Sequence, residues 1–372
     1  MRVTGWECRV CGATVDVATP FPWRCPNSTA QDRHHVLTIV NRATPPAPQP
    51  GDRNPFIAHD HDLAWAAYAD ANGLTATARR AIVTELDDAV RGVAGVGFVP
   101  TPFARSDALS DELGFTDGGG VWAKDETGGV GGSQKARHLF TILLHLVAAE
   151  RLGHLPERPP LAIASCGNAA LAAATLAAAA DWPLDVYVPT WMSDGFGAEL
   201  DRLGARTQRC ERRPADPAGD PAMFRFREAV AAGAIPFTVQ GPENALALDG
   251  GRTIGWEIGE QLADAGTDRL DRMFVQVGGG AFAACLGAGL HDVDGSIRLA
   301  AVQAEGCAPL ARAWQRAHGR VEAGALADRW SELMTPWADP HSLADGILDD
   351  ETYDWLGVFD AIGQQGETPV VA

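Results

Sequence analysis

Only two of the 30 basic residues in this 372-residue chain are lysines, Lys124 and Lys135. They bracket a glycine-rich turn, Lys124-Asp125-Glu126-Thr127-Gly128-Gly129-Val130-Gly131-Gly132-Ser133-Gln134-Lys135, which runs into the apolar stretch from His138 to Ala149. A guanidinium keeps its proton at any workable pH, whereas a lysine amine can be tuned to lose it and then condense with an aldehyde. A chain that uses arginine wherever a fixed positive charge serves keeps lysine for places where arginine does not. Lys135 is therefore a candidate Schiff-base lysine, the alternative being a surface lysine at a helix start.

Two further turns are built for anions. Leu161-Ala162-Ile163-Ala164 is a short apolar strand that breaks at Ser165-Cys166-Gly167-Asn168 into the alanine-rich helix from Ala169 to Ala180. The first N–H groups of such a helix are unpaired and its dipole is positive there, which suits a substrate carboxylate. Met273-Phe274-Val275-Gln276-Val277 is a buried strand running into Gly278-Gly279-Gly280-Ala281-Phe282. Successive glycines let consecutive N–H groups point into one concavity, and a phosphate can approach the bare backbone closely. No Gly-Lys-Ser/Thr follows, and the glycine spacing differs from the dinucleotide fingerprint, so neither of those phosphate motifs applies.

The opening stretch carries Cys8-Arg9-Val10-Cys11, Cys25-Pro26-Asn27 and His34-His35. Cys8, Cys11, Cys25 and His35 form a plausible three-thiolate, one-imidazole zinc site, structural in character because four protein ligands leave no open position. The alternative is a degenerate ribbon whose cysteines are small buried apolar residues.

The elements that must position these groups alternate. A leader over 1–44 is followed by a proline-rich linker over 45–56, then by packing helices from Asp62 to Ala71 and from Thr75 to Val90, the latter closed by Gly92. A helix over Ser106 to Leu113 and a strand Val121 to Lys124 precede the glycine-rich turn. Beyond it come strand Asp185 to Pro189, helix Phe196 to Leu203, strand Arg206 to Cys210, helix Met223 to Ala232 and strand Pro236 to Val239, which predicts an α/β fold with parallel sheets flanked by helices. The formal charge of −18 has the wrong sign for nucleic acid or an acidic membrane, so a small metabolite is the expected partner. The absence of a long apolar run and of a signal-like start predicts a cytoplasmic protein without a membrane span. Seven cysteines, three of them before residue 26, do not read as a disulfide framework.

Taken together, Gly132-Ser133-Gln134-Lys135, Ser165-Cys166-Gly167-Asn168 and Gly278-Gly279-Gly280, in that order, resemble the tryptophan-synthase β-like family of pyridoxal-phosphate enzymes, fold type II. Thr101-Pro102, Lys124-Asp125-Glu126, Gly251-Arg252-Thr253-Ile254 and Ala301-Val302-Gln303-Ala304-Glu305-Gly306 echo it from about residue 98 onwards. The cysteine-bearing leader is similar to the degenerate zinc ribbon of threonine-synthase-like members. The resemblance implies a large cofactor-binding domain over 57–137 and 241–372, a small substrate-binding domain over 138–240, and a homodimer. It places pyridoxal 5'-phosphate on Lys135, with its phosphate on the backbone of Gly278, Gly279, Gly280 and Ala281. Asn168 would face the cofactor's phenolic oxygen, and Ser165, Gly167 and Asn168 the carboxylate of a small amino acid. The implied activity is a lyase or synthase performing elimination or replacement, threonine-synthase-like. Alternatives are a serine/threonine dehydratase-like deaminating lyase and a catalytically silent cofactor binder.

Two departures stand out. Ala169 occupies the position where threonine synthases carry threonine, which points toward dehydratases. The family's pyridine-nitrogen contact follows a strand resembling Thr368-Pro369-Val370-Val371-Ala372, where this sequence ends; Thr368 is a possible substitute.

Overall fold

The computed structural model describes residues 1–49, 51–115, 119–267, 270–320, 322–363 and 366–372. Pro50, within the expected linker, lies outside the described residues. Among the described residues, twelve strands form four sheets. In the leader, β1 (Val3–Cys8), β2 (Thr14–Asp16) and β3 (Leu37–Asn41) pair antiparallel in the order β2-β1-β3. A two-stranded antiparallel ribbon joins β4 (Phe103–Ser106) to β5 (Val121–Lys124).

The central sheet is wholly parallel. Its strands β6 (Leu161–Ala164), β7 (Leu184–Pro189), β8 (Arg206–Cys210) and β9 (Ile235–Pro236) stand in the order β8-β7-β6-β9. A second parallel sheet orders β10 (Arg272–Gln276), β11 (Arg298–Gln303) and β12 (Val370–Val371) consecutively. The α/β class with parallel sheets flanked by helices is thus observed. Parallel strands buried on both faces read as short apolar runs, as Leu161-Ala162-Ile163 does.

Helix bounds differ from the expectation in instructive ways. The helix expected to close at Gly92 runs from Ala76 to Ala94 and is capped by Gly95, whose φ of 74° is left-handed. Gly92 is exposed and touches nothing, so it costs the helix only conformational entropy and does not stop it. The helix after Leu63 is split, with a short 3-10 turn over Asp60–Asp62 before Ala64–Ala71. The predicted strand Pro236 to Val239 shortens to Ile235–Pro236, because beyond it the chain turns away through a buried loop, 237–246.

The helix Lys135–Arg151 is buried from Ala136 to Ala149 and crosses the middle of the largest apolar cluster. An all-round apolar helix can only sit in a core. The helices Arg252–Asp264 and Ala281–Val293 pack backbone to backbone at glycines. A Cβ on Gly255 would lie 2.6 Å from the Gly289 carbonyl carbon, and one on Gly289 would lie 2.4 Å from the Arg252 oxygen. This contact anchors the helix that carries the triglycine turn. No helix among the described residues is long and apolar enough to cross a membrane.

Gly255→Ala should overpack that crossing and lower stability by about 2–3 kcal/mol. Gly92→Ala, in an open helical position, should raise it by roughly 0.5–1 kcal/mol. Urea denaturation of the two variants beside the parent measures both; equal effects would contradict the close backbone approach.

Candidate active site

Lys135 begins its helix, and the loop before it is shaped by left-handed backbone at Gly131 (φ 67°) and Gly132 (φ 70°). A Cβ on Gly131 would lie 3.3 Å from the Cα of Ala172. The bare backbone therefore lets this loop rest on the helix Asn168–Ala179, one turn beyond Asn168, which brings the lysine motif beside the Ser165–Asn168 turn. Ser165 Oγ accepts the Gly167 N–H at 3.3 Å. A Cβ on Gly167 would meet nothing within 4 Å, and Asn168 is exposed at the helix start. The turn therefore presents an open surface with free helical N–H groups.

Two residues past Lys135, Arg137 locks the helix in place. Its Nε donates to Glu126 (3.1 Å), Nη1 to Thr253 Oγ1 (3.1 Å) and Nη2 to Glu257 (3.1 Å). Lys124 completes the network, donating to Glu257 (2.8 Å), the Thr101 carbonyl (2.8 Å) and Gln261 Oε1 (2.9 Å). The second lysine is thus structural: a compact ammonium meets three acceptors in a space where its side chain is only 6% exposed. Its scarcity was no sign of chemistry. His138, one turn from Lys135, is fully buried, with Nδ1 2.7 Å from the Ala247 carbonyl and Nε2 4.0 Å from Cys285 Sγ. Burial pushes its pKa down to about 3, so it stays neutral.

Gly280 takes φ 94° as the residue before the helix Ala281–Val293, and a Cβ there would strike Thr352 at 2.8 Å. The triglycine turn is roofed by the acidic segment 347–354. The Asp354 N–H donates to the Gly279 carbonyl at 2.8 Å, and the Asp349 carboxyl lies over Gly278 and Gly279. An Asp349 oxygen lies 2.5 Å from where a Gly278 Cβ would stand. Lys135 lies near enough to Asp349 and Asp354 to bear electrostatically on both carboxyls that cover the triglycine turn. The glycine backbone is bare where a Cβ would fill the cradle, and N–H donors at the start of the helix Ala281–Val293 fit a phosphate.

This roof was missed from sequence. An Asp-Asp-Glu run reads as a solvated loop; the available signal was the strongly apolar helix Trp355–Gly363 that follows at once and must be buried. Burial raises every carboxyl in it: Asp349 upward, Asp350 to about 6 with help from Asp220 and Asp349, Glu351 to about 7 beside Asp350, and Asp354 to about 7. Asp354 Oδ2 accepts the Gly241 N–H at 3.1 Å, and Oδ1 is buried without a partner.

Thr368 does not reach the site. Strands β10, β11 and β12 are parallel, the triglycine turn follows the C-terminal end of β10, and Thr368 precedes β12 at the opposite edge. Its neighbour Glu367 pairs there with Arg272 and Arg298, at the starts of β10 and β11. Cys8, Cys11, Cys25 and His35 lie together in the leader, their ligand atoms within 4.8 Å of one another.

As pH rises through about 6 to 7, Asp350, Glu351 and Asp354 gain the charge that burial had suppressed, and the roof becomes more hostile to a phosphate dianion. Binding of inorganic phosphate by the apoprotein, measured by calorimetry, should therefore weaken across that window. Asp349→Asn should tighten it by roughly tenfold, ~1.4 kcal/mol. An unchanged affinity would show that the carboxylate does not compete for the cradle.

A family model described as "Pyridoxal-phosphate dependent enzyme" matches residues 96–356, well over half of the chain. A search of curated proteins gives no match. Among solved structures, a threonine deaminase from T.th. superposes with a TM-score of 0.57 at 20% identity, covering 78% of this chain and 82% of that one. Threonine deaminase isoform 2 from Solanum lycopersicum gives 0.55 at 17%, covering 90% and 80%. Maize serine racemase gives 0.56 at 16%, covering 78% and 76%. At these identities the likeness is one of fold, while the family match spans the lysine turn, the Ser-x-Gly-Asn turn and the triglycine cradle: the chain belongs to the pyridoxal-phosphate-dependent enzymes.

Proposed function

We propose that this protein is a pyridoxal-phosphate-dependent lyase that acts on a small amino acid, in the manner of a serine or threonine deaminating enzyme, with Lys135 as the cofactor's attachment point. The observation that carries the proposal is Lys135 at a helix start, within electrostatic reach of the carboxyls that cover a bare triglycine turn leading into the helix Ala281–Val293. The cofactor supplies an electron sink for negative charge at the substrate's Cα.

The chain's own residues supply the rest. The free N–H groups at the start of the helix Asn168–Ala179, with Ser165 and Gly167, hold the substrate carboxylate, and the Asn168 amide faces the cofactor's phenolic oxygen. The N–H groups of Gly278, Gly279, Gly280 and Ala281 grip the phosphate. Lys135 would hold the cofactor, and its Nζ would be the group that takes the proton from the substrate's Cα. Neutral His138 keeps a second positive charge away from the lysine. Ala169, buried directly after Asn168, offers no hydroxyl to a substrate, which favours elimination.

A second reading, threonine-synthase-like replacement, is supported by the leader, whose three-stranded sheet brings its cysteines and His35 together. Assays against serine, threonine, O-phosphoserine, O-acetylserine and phosphohomoserine separate the two, because elimination releases ammonia and a keto acid while replacement yields a new amino acid.

Lys135→Ala should abolish the visible absorbance of the lysine-linked cofactor and cut turnover roughly 100- to 10,000-fold. Absorption spectra and ammonia release measure this. A chromophore that survives in the variant, or one in the parent that none of these amino acids perturbs, would end the lyase assignment.

A further inference from the structure

The leader has a built metal geometry that the lysine chemistry does not use. Cys8 Sγ stands 3.6 Å from His35 Nδ1, Cys11 Sγ 3.6 Å from Cys25 Sγ, and Cys25 Sγ 3.9 Å from His35 Nδ1. A tetrahedral zinc with thiolate bonds of about 2.3 Å requires edges of about 3.8 Å between ligand atoms. The turn that supplies the first pair closes through Gly12 at φ 69°, whose N–H donates to the Cys8 carbonyl at 2.8 Å. Outer partners are also in place. Asp32 Oδ2 lies 3.3 Å from His35 Nε2, which directs Nδ1 at the sulfurs. The Asn27 backbone and side-chain N–H groups donate to Cys25 Sγ (3.4 Å) and Cys11 Sγ (3.3 Å).

The segment that carries the last two ligands, 23–35, grips the body of the protein. Arg24 and Arg33 both pair with Glu243, which is 1% exposed, and Arg227 joins them at 2.7 Å. The Ala245 N–H donates to the Trp23 carbonyl at 2.8 Å. His34 stacks on Trp330 at 4.8 Å and accepts the Trp355 indole N–H at 2.9 Å. Glu243 is two residues from Gly241 and Trp355 follows Asp354, and Gly241 and Asp354 are the hydrogen-bonded pair beside Lys135.

We propose that Cys8, Cys11, Cys25 and His35 bind one structural zinc ion, and that the ion, by closing the loop from Cys25 to His35, clamps the loop 240–245 and the helix Trp355–Gly363 against the Lys135 cleft. Binding releases the thiol protons to solvent, and the metal undergoes no redox change. The clamp, though not the metal site, rests on the lysine cleft being the cofactor site.

The full chain, purified with reduced cysteines and no chelator, should contain one zinc per chain by mass spectrometry. Cobalt(II) exchange should give the intense visible bands of a tetrahedral thiolate site. Cys8→Ser and His35→Ala should lose the metal, whereas Cys210→Ser and Lys135→Ala should keep it, so a failed lysine assignment leaves the zinc result readable. Chelation should open cleavage by trypsin after Arg24 and Arg33 and weaken pyridoxal-phosphate binding at least about fivefold, with recovery on adding zinc. A parent protein that takes up no more zinc than Cys8→Ser overturns the site. Loss of zinc without a change in cleavage or cofactor affinity overturns the clamp.

Discussion

A single buried carboxylate, Glu257, receives both Lys124 and Arg137, and the placement of Lys135 depends on that sharing. The network joins four distant stretches, around residues 101, 124–126, 137 and 253–261. Two cations on one carboxylate, with Glu126 as a second anion, leave the interior close to neutral. Glu257 is held below the usual carboxylate range because the attraction of Arg137 and Lys124 outweighs the cost of burial. Removing any one partner would leave an uncompensated charge in the core, a far larger penalty than the loss of a surface pair. Rigidity at the first turn of the Lys135 helix follows from this arrangement, since Arg137 can satisfy its donors only in one orientation.

Much of the fold was readable because its signals are local. Strand β6 and strand β8 stand where their apolar runs or flanking turns put them, and all three turns of the site lie at strand-to-helix junctions, where glycine and small residues are required. What escaped was long-range. Nothing near Gly255 or Gly289 announces that two helices meet backbone to backbone there, and nothing near Asp349 says that the chain returns some 70 residues later to cover the triglycine turn. Hydrogen-bond partners across the fold are invisible to periodicity, so nothing in the sequence marked Lys124 as the tie it is. Thr368 failed for a similar reason, since the direction of a parallel strand, not proximity to the chain end, decides which edge of the sheet a residue occupies.

The cleft combines opposed electrostatic demands. Glycine N–H groups and Lys135 favour an anion, while the roof brings Asp349, Asp350, Glu351 and Asp354 to the same place and offsets their burial with raised proton affinities. A roof of this kind can lie close over the turn only while its charge is reduced or neutralised by the lysine. The cradle and its covering segment are joined through the Asp354 N–H on the Gly279 carbonyl, with the Asp349 carboxyl lying over Gly278 and Gly279.

The locking of Lys124 has a practical consequence. Its ammonium is fully engaged with three acceptors and shielded from solvent, which leaves Lys135 as the one side-chain amine of the protein open to reagents. Among side chains, an amine-directed label or crosslinker would therefore attach at Lys135 alone, so side-chain bioconjugation of this protein doubles as a probe of the proposed cofactor site.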